Sequence, residues 1–465
     1  MFAKLTFLGA AETVTGSRYL LDINGSRLLI DCGMYQEHDL LDRNWNPFPV
    51  PPSSINAVLL THAHIDHCGY LPRLVRDGFS GPIHATTPTA EIAKTVLMDS
   101  AKIQAEDVAF KAKRHAKENR KSNRPLEPLF TADDVERCCS QFSPVSYRKP
   151  LSLAHGIEVT FTDAGHILGS ASIHIRGNGR SIVFSGDIGR WNRPILEDPD
   201  FCVPTDYIVM ESTYGDRLHE QTDLIEDRLC QVITETVKRG GNLIIPTFAI
   251  ERAQEVLYYF SSLLKAKRIP NIMVFVDSPM ARAVTQIFER HMDILDADMN
   301  RLVKTQQSPF HFPGLKMVQT VDDSKAINTI KGSVAVMAGA GMCTGGRIKH
   351  HLANNLSRPE STVLFVGYQA VGTLGRLILN GVNPVRLFGQ PYPVRAAVSQ
   401  ISGFSAHGDR SELLNWISRL GTPVPRHIFV THGESETARH FAATIQQEKG
   451  FTATAPKYGD AVVLE

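Results

Sequence analysis

The chain has 465 residues, 43% of them apolar and 21% charged, with a net charge of +1. That length can bury a large core and predicts two domains. The near-zero charge excludes a globally basic nucleic-acid binder, so any such binding must rest on local patches. No apolar run reaches the length needed to cross a bilayer, and the first residues, Lys4 to Leu8, read as a strand without a leader. Seven scattered cysteines lacking any Cys-x-x-Cys predict reduced thiols in a cytoplasmic compartment. Cys32 and Cys68 are expected to be small buried packing residues.

Residues 1 to about 205 alternate short strands with loops and a few helices: Leu5 to Leu8, Tyr19 to Ile23, Leu28 to Ile30, Val58 to Leu60, Val159 to Phe161, Ile173 to Ile175 and Ile182 to Phe184. Two stacked sheets flanked by helices satisfy that pattern. From about 208 to 395 helices near 222–239, 250–265, 278–291 and 344–355 alternate with strand-like Leu243 to Ile245, Ile272 to Val276, Val334 to Met337 and Thr362 to Val366. Such repetition predicts a parallel sheet with helices on both faces. The class is α/β, divided as 1–207, an inserted 208–395, and 396–465 returning to the first domain.

The stretch Thr61-His62-Ala63-His64-Ile65-Asp66-His67-Cys68-Gly69 follows the apolar run Ala57 to Leu60. With 18 His in the chain, a chance His-x-His-x-Asp-His has odds on the order of 10⁻³, so an ordinary polar turn is a poor account of it. His62 and His64 leave a strand end pointing the same way, because side-chain direction repeats every two residues. Asp66 and His67 fall in the turn that opens a helix and can reach a second point nearby. Imidazole and carboxylate donors without thiolate suit zinc, with manganese or iron as alternatives. Six positions cannot complete two coordination spheres. Further donors are offered by His166, in a Gly-bounded loop after Ile157 to Phe161, and by Asp187, between glycines after Ser181 to Phe184. Taken alone, Gly-Asp-x-Gly marks a turn more readily than a ligand.

These motifs, with Leu29-Ile30-Asp31-Cys32-Gly33, resemble the first four motifs of the metallo-β-lactamase superfamily. Met210-Glu211-Ser212-Thr213-Tyr214-Gly215, Gly403-Phe404-Ser405-Ala406-His407-Gly408-Asp409 and Thr431-His432-Gly433-Glu434 resemble motifs A, B and C of its β-CASP nucleases. The resemblance implies an αββα sandwich with a β-CASP domain inserted as 208–395. It implies that His62, His64 and His166 hold one metal, that Asp66, His67 and His432 hold a second, and that Asp187 bridges them, the ions being two zincs. Asp31 is expected to fix an imidazole or the nucleophile, because a ligating histidine needs its other nitrogen anchored. Two such metals share a hydroxide formed at neutral pH, and the resemblance implies in-line attack on a phosphodiester, with His407, oriented by Glu211, as proton donor. Asp66, Glu211, His407 and Asp31 make up the expected catalytic set.

The glycine-rich segment Gly339 to Arg347 lies between a strand and a helix, where backbone amides favour anions. Gly345, Gly346, Arg347 and Ser405 are the expected phosphate-binding residues. The basic run Lys111 to Arg124 is either a solvated helix end or a contact for RNA. His350 and His351 are expected on a helix without metal.

The function so implied is a metal-dependent nuclease of single-stranded RNA, leaving 5′-phosphate and 3′-hydroxyl ends, in RNA processing or decay. A thioester or lactone hydrolase on the same scaffold needs no insertion of this length, and an inactive RNA-binding relative is expected to have lost ligands. No membrane partner is expected, and the oligomeric state, a homodimer among the alternatives, stays open.

Overall fold

The computed structural model describes residues 3–118, 126–219, 224–370 and 372–465. They divide into two compact units. The first contains Met1–Asn192, Asp198–Leu218 and His407–Glu465; the second contains Arg193–Glu197 and His219–Ala406.

The first unit is built on two seven-stranded sheets. One runs, edge to edge, through Ala461–Leu464, Ala3–Phe7, Tyr19–Ile23, Ser26–Ile30, Ala57–Leu59, Ile83–Thr86 and Phe142–Val145. The other runs through Ala453–Thr454, His427–Thr431, Tyr207–Glu211, Arg180–Phe184, Ala171–Gly177, Ile157–Asp163 and Leu151–Leu153. Alternate side chains of both meet in one apolar core: Leu5, Phe7, Leu21, Ile30 and Leu59 from the first, and Phe161, Ile173, Phe184, Val209 and Phe429 from the second. The rings of Phe7 and Phe429 lie 5.4 Å apart across it. The outer face of the second sheet is also covered, since Ile208, Met210, Ile428 and Val430 pack with Leu413 and Trp416 of Arg410–Trp416 and with Phe441 and Ile445 of Ser435–Lys449. This is why Tyr207–Glu211 is buried on both faces and reads as an unbroken apolar run.

Parallel pairing sets the position of the functional loops. Ile30 pairs with Leu59, Phe184 with Val209, and Glu211 with Thr431, each within a parallel ladder. The residues that follow, Asp31, Thr61 to His67, Ser185 to Asp187 and His432, therefore leave the C-terminal ends of strands in each sheet.

The second unit carries a six-stranded sheet in the order Leu315–Met317, Met273–Asp277, Val334–Ala338, Leu243–Pro246, Thr362–Phe365, Ala397–Gln400, every pairing parallel. Helices Ile225–Lys238, Arg252–Lys265, Pro279–Arg290 and Ile348–Asn355 connect or precede its strands. The last of these begins after the glycines at 345 and 346, later than the expected 344. Two strands depart from the expected domain boundaries. Tyr207–Glu211 is a central strand of the first unit, and Ala397–Gln400 is the edge strand of the second, paired with Thr362–Phe365.

All seven cysteines are free, and Cys32 and Cys68 are fully buried, as packing residues are. Among the described residues no helix is long and apolar enough to cross a membrane.

Candidate metal centre and active site

Two sets of donor atoms converge in the first unit. In one, His64 Nδ1 lies 3.1 Å from His62 Nε2 and 3.1 Å from His166 Nε2. Asp187 Oδ2 stands 3.4 Å from His62 Nε2 and 3.5 Å from His166 Nε2. In the other, His432 Nε2 is 3.1 Å from His67 Nε2 and 3.5 Å from Asp66 Oδ2. Asp187 Oδ1 completes that set, at 3.3 Å from His67 and 3.6 Å from His432. Donors about 2.0–2.1 Å from a tetrahedral zinc stand about 3.3 Å from one another, so both sets have the spacing that a divalent ion requires.

Charge and hydrogen bonding give the same answer. Asp187 Oδ1 is buried and accepts no hydrogen bond among the described residues, although a buried carboxylate ordinarily accepts several. No Lys or Arg pairs with Asp31, Asp66, Asp187 or Glu211 among the described residues. Burial disfavours ionised Asp187, yet the imidazoles of His432, His67 and His62 hold it well below the usual carboxylate range. Burial pushes His62 down to about 3 and His64 to about 4, so both are neutral ligands at pH 7. His67 goes the other way, the Asp187 and Asp31 carboxylates overcoming the effect of burial. An excess of buried negative charge here suits a cation.

The ligands are themselves anchored. Asp31 Oδ2 lies 2.8 Å from His67 Nδ1, and since a carboxylate only accepts, Nδ1 carries a hydrogen and Nε2 is the nitrogen left to face an ion. The backbone N–H of Thr61 donates to Asp31 Oδ1 and its hydroxyl to Oδ2, both at 2.8 Å. That hydroxyl is also 3.0 Å from His62 Nδ1 and accepts from it. A second threonine repeats the device, as Thr213 Oγ1 donates to Glu211 Oε2 at 2.6 Å and lies 3.0 Å from His432 Nδ1. Sequence reasoning missed both threonines, though each lies inside or against a motif it had read. Asp31 and His432 hold positive φ of 56° and 50°, a left-handed backbone uncommon outside glycine.

Close backbone approaches explain two motif glycines. A Cβ on Gly33 would lie 1.5 Å from the Asp66 carbonyl oxygen, and one on Gly189 would lie 1.8 Å from that of Gly165. The Asp31 loop thus presses on the Asp66–His67 turn, and the Asp187 loop on the His166 loop.

Beside both sets stands His407. Its Nδ1 is 3.1 Å from Glu211 Oε2 and 3.8 Å from Asp187 Oδ2. Burial works against the charged ring, but Glu211 and Asp187 outweigh it and raise His407 to about 9. Glu211 is fixed in turn by the backbone N–H of Ile188, at 2.5 Å.

Known proteins resemble this chain along most of its length. A metallo-β-lactamase superfamily domain matches residues 20–203, a β-CASP domain matches 253–378, and a Zn-dependent metallo-hydrolase RNA specificity domain matches 391–456. Ribonuclease TTHA0252 of Thermus thermophilus is 38% identical over 433 residues, covering 93% of this chain and 94% of that protein. The chain belongs to the β-CASP family of the metallo-β-lactamase superfamily. Transcription termination factor FttA of Methanosarcina mazei is 31% identical over 96% of this chain and 69% of its own length. A crystal structure of a protein of unknown function from Enterococcus faecalis V583 shares the fold, with a TM-score of 0.57 at 11% identity and full coverage of both chains. The chain is accordingly a metal-using hydrolase of the β-CASP type.

Of the residues expected from sequence, His62, His64, Asp66, His67, His166, Asp187, His432, Asp31, Glu211 and His407 are brought together here. The expected phosphate-binding residues Gly345, Gly346, Arg347 and Ser405 belong to the second unit. Arg347 is held internally: its guanidinium reaches Asp277 Oδ1 at 2.6 Å and the Gln319 carbonyl at 3.1 Å. His350 and His351 lie on Ile348–Asn355, where His351 Nε2 is 2.7 Å from Asp277. Lys111, Lys113 and Arg114 are exposed on the helix Thr87–Glu118. The side chain of Lys117 and residues Arg120, Lys121 and Arg124 lie outside the described residues.

Proposed function

We propose that this β-CASP protein is a ribonuclease that hydrolyses phosphodiester bonds in single-stranded RNA with two divalent ions, zinc by its donor set, in RNA processing or decay. The observation that carries this reading is the pair of donor sets sharing Asp187 with His407 and Glu211 alongside. His62, His64 and His166 would hold one ion and Asp66, His67 and His432 the other, with one Asp187 oxygen toward each. Bound ions there supply a Lewis acid and a water acidic enough to react at neutral pH.

The chain's own groups do the rest. Asp31 and Thr61 keep His67 and His62 in the tautomer that presents Nε2, and Thr213 does the same for His432. Glu211 accepts from His407 Nδ1, which leaves the other ring nitrogen, Nε2, with its hydrogen, as the one to give its proton. In the reaction an oxygen from water bonds to phosphorus as the bond from phosphorus to the ribose O3′ breaks. O3′ takes the His407 Nε2 proton, and the phosphate stays on the 5′ end of the downstream fragment.

The test is the chemistry of the ends. Incubated with end-labelled RNA, the protein is expected to give 5′-phosphate and 3′-hydroxyl fragments, lost on chelation, and to act faster on an unstructured strand than on the same strand annealed to its complement. Cyclic 2′,3′-phosphate ends in the fragment masses would rule the mechanism out.

A further inference from the structure

The sheet of the second unit changes direction between Leu243–Pro246 and Thr362–Phe365, which are neighbours in it. After the first, the chain passes to Met273–Asp277, two places to one side; after the second, the next strand of the sheet is Ala397–Gln400, one place to the other side. Connections that diverge from adjacent parallel strands open a crevice at the strands' C-terminal ends, the usual ligand position of such sheets. Two aromatic side chains are exposed where these strands end: Phe248 at 41% and Tyr368 at 45%.

Phe248 is held as well as exposed. Its ring lies against two glycines: a Cβ on Gly341 would come within 2.8 Å of Phe248 Cδ2, and one on Gly367 within 3.5 Å of Cε2. The loops carrying those glycines are tied together from below by Gln369, whose buried amide donates to the Gly341 carbonyl at 3.0 Å and reaches the Gly367 carbonyl at 3.4 Å. A buried amide thus fixes the floor under an exposed ring. Flat rings at a switch point, without a charged side chain of their own, suit a flat, apolar, hydrogen-bond-indifferent partner. A nucleobase stacked on its π-face is such a partner, and every base has one.

We propose that Phe248, with Tyr368, is a base-stacking platform for single-stranded RNA, an inference that rests on the ribonuclease reading and assigns substrate binding to the second unit. Gln369 is its positioning residue. Such a platform is sequence-tolerant and blind to the sugar-phosphate backbone.

Fluorescence anisotropy of a labelled oligouridylate, in the His407→Ala background so that the strand survives, reads the affinity directly. Phe248→Ala is expected to raise Kd about 5- to 150-fold, the range of one lost stacking contact. Phe248→Trp is expected to keep or tighten binding, and an abasic strand of equal length to bind both proteins alike. Tyr368→Ala, at a more exposed position, should weaken binding a few-fold with an unchanged melting curve, which keeps the test open should Phe248→Ala fold poorly. Unchanged affinity in both variants, or an equal loss on the abasic strand, overturns the platform while leaving the nuclease reading intact. A parent protein with no affinity for any single-stranded RNA overturns both.

Discussion

Asp187 and Asp277 are both buried aspartates near the C-terminal ends of parallel strands, and both face histidine, yet they are opposite in kind. Asp277 is saturated: Arg347 reaches one oxygen at 2.6 Å, and Ser324 and His351 reach the other at 2.5 and 2.7 Å. Asp187 is surrounded by imidazoles at 3.3–3.6 Å whose nitrogens point at its oxygens without a hydrogen bond to Oδ1. A carboxylate whose two oxygens are both met by protein donors is a structural knot. One whose neighbours are themselves acceptors in their neutral form is complete only with a cation. Buried histidine and aspartate in contact therefore do not identify a metal site; the direction of the donors does.

Exchanging the two acids is the strongest way to break this contrast. Asp187→Asn is expected to lower RNA cleavage by about 10³, the scale of removing a central electrostatic group, and to empty the centre of metal. Asp277→Asn is expected to keep full metal content but destabilise the second unit by about 3–5 kcal/mol, because it leaves the Arg347 charge without its buried partner. Elemental analysis and denaturant titration read the two effects separately. The parent protein should carry two ions per chain and Asp66→Ala one; a parent value of one, unchanged in Asp66→Ala, would defeat the paired-site assignment.

Next in size is His407→Ala, expected to retain both ions and lose cleavage by about 10²–10⁴. It separates the proton donor from the ligands. If the variant emptied a metal site, and cleavage returned to normal on reloading, His407 would belong with His64 and not beside it.

The finest distinction lies with the residues that only orient. Asp31→Asn and Thr213→Val should each weaken metal binding by about 10–100-fold without abolishing it, the usual cost of removing the partner of a ligating imidazole. Competition with a chromophoric chelator measures this. An unchanged affinity in both would mean that Asp31 and Thr213 merely fill space.

The same contrast explains what the sequence made legible. Three histidines and an acid within six residues carry their own geometry, because strand periodicity and one helical turn fix where they point. His166 and Asp187 are readable through the short apolar strands that precede them, and His432 only through its resemblance to motif C. The Asp277 network has no such signature: Asp277, Ser324, Arg347 and His351 are spread over the insertion, and their meeting depends on how its strands order in the sheet. The glycines before Arg347 mark it as an expected phosphate ligand, and nothing in the sequence announces its pairing with an acid seventy positions away. Thr61 and Thr213 stayed hidden for another reason, since threonine is common and its hydroxyl becomes informative only when a carboxylate and an imidazole are seen on either side. Strands such as Ile83–Thr86 and Phe142–Val145, interrupted by His84 and Pro144, lack the clean apolar run that marks their neighbours.

The tight backbone contacts at Gly33 and Gly189 bear on how mutational tolerance should be interpreted here. A scan of all single substitutions is expected to score both positions among the most intolerant in the chain, alongside the ligands. Neither supplies a donor, a proton or a contact to RNA. One added methyl group at Gly33 would displace the turn bearing Asp66 and His67, so the variant would lose activity through ligands it left unaltered. Intolerance at these glycines measures how little slack the two loops have, and a functional map drawn from sensitivity alone would count scaffold as chemistry.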